Sequence, residues 1–304
     1  MRKLIFHFGL FSFLLAVSLY FFLLQFNGKH DDFYLRLTTP QQESLVIGTS
    51  RAAQAINPTY INPLIKPHQL YNYAFSIFHS PFGEIYFNSI SKKINKKSKN
   101  GIFIVCIDPW SLGVTQDSIH QEITFIEKDF ALSGVHFVNQ KPNFEYLFFY
   151  STNTLLDKYL NNNKSTFLHS NGWLEVNIPM DSASIQKRFQ DRIIKYTERK
   201  NSYIRSKERI FWLTKTIDLL QKHGRVFFIR LPVRQQILAL ENQVWPQFSN
   251  FVSDLSRKKQ IPFLDFSERS HHYLYTDGLH LHQSSSKIIS AEIGKWIQEQ
   301  AGRN

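Results

Sequence analysis

Ser50 and the pair Asp277 and His280 are the residues of this 304-residue chain whose types and placement suit acid–base and nucleophilic chemistry. Ser50 closes the turn Gly48-Thr49-Ser50, directly after an apolar run at 45–47. A hydroxyl there becomes a nucleophile when a base removes its proton, and backbone N–H groups at the start of a following helix can stabilise an oxyanion beside it. The same serine also suits a plain helix N-cap. In Asp277-Gly278-Leu279-His280, the carboxylate can accept the imidazole Nδ1 proton, fix the tautomer and leave Nε2 facing a nucleophile. A capping loop with an exposed histidine and half of a metal site are the other readings, although no third ligand with helical spacing stands out.

The elements around these residues give them a common address. Residues 43–47 read as a short buried strand, and 51–55 have helix-forming composition up to Pro58. A second strand is expected at 69–74, followed by a helix capped by Ser80 with Pro81 at its first position and ending in a lysine cluster at 92–99. The apolar strand 102–107 stops at Asp108-Pro109. Later come a helix over 206–223 ended by Gly224, strands at 225–231 and 261–266, a helix over 243–259 and a final helix over 284–300. This alternation predicts a mostly parallel sheet covered by helices on both faces. In such sheets ligands bind at the carboxyl edge, where Ser50 stands, and Asp277-x-x-His280 immediately precedes the last helix.

Between 115 and 203 the pattern weakens, with aromatic stretches such as Tyr146-Leu147-Phe148-Phe149-Tyr150 and an Asn171-Gly172-Trp173 turn. This region reads as an insertion, either a wall or lid over the site or a small core of its own.

The N-terminus opens with Met1-Arg2-Lys3 and continues apolar from 4 to 26, interrupted only by His7, Ser12, Ser18 and Gln25 as clearly polar residues. That run is long enough to cross a hydrocarbon core of about 30 Å. A cleavable signal peptide is the rival, but its apolar region would be shorter and would end in a small-residue site, which 25–30 do not offer. The chain thus divides into an anchor at 1–27 and an α/β domain at 28–304, beyond a short polar linker. Arg2 and Lys3 place the N-terminus in the cytoplasm and the domain outside it. The net charge of +12 invites anionic partners, yet export and the lack of any recognised binding motif argue against nucleic acid. The lysine cluster is expected to be a solvated helix end. The single cysteine, Cys106, sits in an apolar run and reads as a small buried hydrophobe.

On these residues the sequence resembles the SGNH, or GDSL, hydrolases. Gly48-Thr49-Ser50 looks like the family's Gly-Asp-Ser block after the first strand, and Asp277-Gly278-Leu279-His280 looks like its closing Asp-x-x-His block. The resemblance implies a three-layer sandwich, with Ser50 as nucleophile, His280 as general base and Asp277 as its orienting partner. Thr49 replaces the usual Asp, Asn72-Tyr73-Ala74-Phe75-Ser76 keeps the second block's Asn but lacks its Gly, and Asp108-Pro109-Trp110 stands where the third block has Gly-x-Asn. Ser76, Asn72, Asp108 and Arg51 are the candidates for oxyanion or substrate contacts.

These departures and the anchor resemble the membrane-attached branch that works beside membrane-bound O-acyltransferases. That implies a single-pass protein of the bacterial cell membrane, with a periplasmic domain acting as a serine O-acyl esterase or O-acyltransferase on an acylated envelope glycan or related ester. A membrane-bound O-acyltransferase is the implied partner, and no metal or organic cofactor is expected. The alternative is a catalytically weak binding or assembly subunit of a membrane acylation system.

Overall fold

In the computed structural model, which describes residues 1–116, 123–151, 154–160 and 165–301, the N-terminal apolar run forms one helix, α1 (Arg2–Leu24). It is 23 residues long with a hydropathy of 2.1, enough by length and composition to span a membrane. Helical rise gives it about 34 Å. Its side chains are exposed over most of its length, and only near its end does it enter the protein, where Leu23 is fully buried.

The segment that follows is packed and does not behave as a free linker. Phe26 and Tyr34 are fully buried, and α2 (Tyr34–Thr38) buries Arg36 completely. The Arg36 guanidinium donates to the carbonyls of Asp32 at 2.9 Å, Asn72 at 3.2 Å and Gly172 at 2.7 Å. A buried cation keeps such a place only when its donors are satisfied.

The domain is α/β. Five parallel strands, β1 (Ser44–Ile47), β2 (Leu70–Asn72), β3 (Gly101–Cys106), β9 (Gly224–Arg230) and β10 (Phe263–Asp265), lie in the order β10-β9-β3-β1-β2. Because successive side chains point to opposite faces, Leu45, Ile47, Phe103, Val105 and Phe228 fall on one side. There they meet α5 (Glu84–Lys93), α9 (Lys207–Gln221) and α11 (Phe248–Lys259) through residues such as Ile90, Ile217 and Val252. Val46, Ile104, Cys106, Phe227 and Ile229 face the other way, onto α3 (Ser50–Ala55), α4 (Pro58–Ile61) and α12 (Gln283–Ala301). Cys106 is a buried hydrophobe, as its setting predicts, and burial pushes its thiol pKa up.

Several expected boundaries move. The helix expected at Ser80-Pro81 begins at Glu84 with Gly83 as its N-cap, and Ser80 instead fastens a loop by donating from Oγ to the Gly48 carbonyl at 2.8 Å. Gly224 opens the strand β9 and is not a helix C-cap; it must be glycine because a Cβ there would lie 1.9 Å from the Gly101 carbonyl oxygen on the neighbouring strand. The helix expected over 243–259 starts later, as α11 at Phe248, because Pro246 cannot continue a helix, and 243–244 instead close α10 (Gln235–Val244), a helix the sequence reading did not include. In the lysine cluster, Lys93 is wholly buried, and its Nζ donates to Thr39 O at 2.6 Å and Val138 O at 2.9 Å. Burial brings its pKa down to about 7; Lys92, Lys96 and Lys97 are exposed as expected.

The insertion has more order than its sequence suggested, although 117–122, 152–153 and 161–164 lie outside the described residues. It holds β4 (Gly113–Gln116), β5 (Ile123–Thr124) and β8 (Tyr203–Arg205) as a small antiparallel sheet, the short helices α6 (Ala131–Gly134) and α7 (Leu155–Leu160), and the hairpin β6 (Thr166–Leu168) and β7 (Leu174–Val176). The Asn171-Gly172-Trp173 turn of that hairpin covers the exposed edge at β2. Asn72 N donates to Asn171 O at 2.8 Å, and Trp173 Nε1 donates to Gln54 O at 2.8 Å. The longest element of the insertion is α8 (Ser182–Asn201).

Candidate active site

The turn after β1 delivers Ser50 to the carboxyl edge of the sheet. Gly48 is needed there, because a Cβ would sit 2.9 Å from Ala52 Cβ and 3.0 Å from Cys106 Cβ. Thr49 holds the N-cap position of α3, so Ser50 is the first helical residue and not the cap. Its hydroxyl faces across the fold: Ser50 Oγ lies 2.9 Å from His280 Nε2, although 230 residues separate them. His280 Nδ1 lies 2.9 Å from Asp277 Oδ2. Both imidazole nitrogens are thereby engaged, and Ser50 and the Asp277-x-x-His280 loop form one unit.

The loop that carries Asp277 and His280 is built from its own backbone. Asp277 Oδ1 accepts from Leu279 N at 3.0 Å and His280 N at 2.8 Å, which leaves Oδ2 for the imidazole. Gly278 has φ +83, and a Cβ there would lie 2.4 Å from Phe189 Cδ2, so both conformation and space select glycine. Burial alone would raise the Asp277 carboxyl pKa. The adjoining His280 charge and hydrogen bond, with Arg192, instead hold it well below the usual carboxylate range.

Arg192 is the site residue that the sequence reading missed. It lies on α8, and its Nε and Nη2 donate to Asp277 Oδ2 at 3.1 and 2.5 Å. One turn earlier, Arg188 Nε donates to Thr276 O at 2.9 Å, and Phe189 packs beneath Gly278. The insertion therefore walls the histidine loop. A signal for this helix was present: Asp181 is an N-cap accepting from Ser184 N at 2.9 Å, and Ile185, Phe189, Ile193 and Tyr196 follow at helical spacing. Arg188 and Arg192 flank that stripe, four residues apart on one face.

The four candidates for oxyanion or substrate contacts fall in structural roles by their side chains. Arg51 is buried; Nη1 pairs with Glu241 Oε1 at 2.8 Å and Nη2 donates to Leu231 O at 2.7 Å. Burial alone would lower its pKa, but Glu241 and then Asp108 outweigh it and the guanidinium is held charged. Glu241 is shared with Arg230, at 3.0 Å, in a buried network that the sequence did not reveal. Asp108 caps the turn at 109–112 by accepting from Ser111 N at 3.0 Å, and its other oxygen lies 3.9 Å from Arg51. Asn72 Nδ2 donates to Ala52 O at 2.9 Å and Ile56 O at 2.7 Å, tying α3 to β2. Ser76 Oγ meets His79 Nδ1 at 2.7 Å in the loop that Ser80 fastens to Gly48, and burial lowers the His79 pKa to about 4.

Beside the Ser50–His280–Asp277 unit, Arg188, Asp191, Arg192, Lys195 and Asp277 line a cleft of about 180 Å³. A larger one of about 720 Å³ lies at the opposite edge, where β3 and β9 begin, with Lys66, Asn100 and Arg225 on its walls. Neither the protein-family models nor the curated proteins give a match to this sequence.

Proposed function

We propose that the protein is a serine O-acyl esterase or O-acyltransferase, held on the outer face of a bacterial cell membrane by α1, with its N-terminus cytoplasmic. The observation that carries the reading is the continuous contact from Ser50 Oγ through both His280 nitrogens to Asp277, with each step at 2.9 Å. A capping serine and a capping aspartate have no reason to meet across a histidine 230 residues from the serine. The parallel sheet with helices on both faces, and a serine at its carboxyl edge, agree with the three-layer SGNH arrangement that the sequence resembles.

In this reading His280 Nε2 takes the Ser50 proton as Oγ attacks an ester carbonyl, and Asp277 stabilises the imidazolium. The carbon–oxygen bond to the leaving alcohol breaks, His280 returns the proton to that alcohol, and an acyl-Ser50 remains. Water resolves it to a carboxylic acid, or a sugar hydroxyl to a new ester: His280 takes the proton of the attacking hydroxyl, the acyl–Oγ bond breaks, and His280 returns the proton to Ser50 Oγ. Acylated envelope glycans are the substrate class, a membrane-bound O-acyltransferase the partner, and no cofactor takes part.

The alternative is a binding or assembly subunit of a membrane acylation system that has lost efficient catalysis. The commitment of the Asn72 amide to α3 carbonyls favours it, since this amide cannot also serve an oxyanion in the same conformation. Labelling of the full-length protein in detergent with a fluorophosphonate separates the two readings. The catalytic reading expects Ser50 to be labelled, and Ser50→Ala and His280→Ala to abolish the signal without loss of fold. A folded protein that takes no label would overturn it in favour of the assembly subunit.

A further inference from the structure

The end of α1 is embedded beside an aromatic part of the insertion. Tyr20 of α1 lies 6.4 Å from Phe144, Phe22 lies 4.9 Å from Tyr159, and the Tyr159 hydroxyl donates to Gln25 at 3.1 Å. Tyr20 precedes Leu24 by four residues, so Phe144 sits about 6 Å back along α1, alongside its apolar run and not beyond it. The same insertion leaves large apolar side chains in the open: Phe149 is 79% exposed, Leu156 62% and Leu160 64%, with Phe148 and Phe137 about half exposed. Phe148 stacks on Phe144 at 6.5 Å, which carries the exposed apolar surface of α1 onto the insertion, and such a surface marks a contact site.

Its occupant follows from continuity with α1, whose outward-facing Phe21 is itself 60% exposed. We infer that residues 137–151 and 154–160 form a second membrane contact, dipping Phe148, Phe149 and Leu156 into the acyl–headgroup boundary of the outer leaflet that α1 crosses. The inference rests on the anchor reading of α1. Tyr20 and Tyr159 stand at the depth where aromatic side chains with a polar tip favour the interface, and short apolar segments lie in that plane when their partner face is fixed. Here it is fixed: Tyr146 Oη donates to Asp31 at 2.8 Å, and Asn143 Nδ2 donates to Leu37 O at 3.2 Å. The catalytic domain would thus be held at a constant height over the bilayer, unlike a domain on a flexible tether.

The test is nitroxide labelling of the full-length protein in phosphatidylcholine–phosphatidylglycerol vesicles at Phe149→Cys and, independently, Leu156→Cys. Cys106, the other cysteine, is buried. Phe11→Cys in α1 reports the bilayer, and Phe211→Cys, half exposed on α9, reports water. Both test labels are expected to favour collision with oxygen over a water-soluble nickel chelate several-fold more than the Phe211 label, at shallower depth than the Phe11 label. Test labels as open to nickel as the Phe211 label, with the Phe11 label in lipid, would overturn the second contact alone. A Phe11 label open to water would remove the anchor and the inference with it.

Discussion

The short helix α3 that opens at Ser50 and the insertion helix α8 each present an arginine close to the Ser50–His280–Asp277 unit, and they use it oppositely. Arg51 is the sequence neighbour of the serine, yet its guanidinium points into the fold, onto Glu241 and the Leu231 carbonyl. Arg192 is remote in sequence from Ser50 and belongs to a region without clear pattern, yet it donates twice to the carboxylate that orients His280. Adjacency along the chain does not put two side chains on one face, since neighbours alternate sides in a strand and lie about 100° apart around a helix. Charges near a site therefore have to be sorted by what accepts their protons.

The strongest break of this comparison would come at the carboxylate itself. Asp277→Asn keeps the size but loses the acceptor that fixes the tautomer, and phosphonylation of Ser50 should fall by about 10⁴-fold. A rate within a few-fold of the wild type would mean that His280 acts without it. On the other side, Glu241→Ala leaves Arg51 and Arg230 buried without their shared carboxylate, and urea unfolding should show a loss of about 3–5 kcal/mol. No loss of stability would mean that the turn after β1 does not depend on that network.

Gly278→Ala tests the contact between α8 and the histidine loop. A Cβ would meet Phe189, and the φ of +83 disfavours it, so a cost of about 1–3 kcal/mol is expected in the same measurement, with slower labelling. Arg192→Gln should have the smallest effect, about ten-fold or less in labelling rate, near 1.4 kcal/mol, while Lys195→Gln on the same cleft should leave the rate unchanged. Because Asp277 titrates lower in the folded chain than unfolded, the unfolded state binds more protons in acid, and the stabilisation is complete above the ordinary carboxylate value, about 4, and lost below it. Arg192 contributes part of that depression. His280 still depresses Asp277 in Arg192→Gln, so the stability gap between the two proteins should stay full down to the variant's own lowered carboxyl value and close only as pH falls through it. A gap with no pH dependence even where Asp277 protonates in the folded variant would show that Arg192 acts through α8 packing and not through the carboxylate.

Much of the parallel sheet was legible because its strands, buried on both faces, are continuous apolar runs such as 102–106. Lys93 was misread because a lysine run looks solvated unless one knows that Thr39 and Val138 supply acceptors in the interior. Pro246 marks the break between α10 and α11 in the sequence itself, since proline cannot continue a helix.

By itself the sequence determined the apolar helix, the alternation of strands and helices, and the residue types that could form a nucleophile, a base and an orienting acid, since these depend on local composition and spacing. Only the tertiary structure decided that Ser50 and His280 touch, that Arg51 turns inward and that Arg192 turns toward Asp277. Such contacts join distant segments through sheet order and helix packing, which no local pattern encodes.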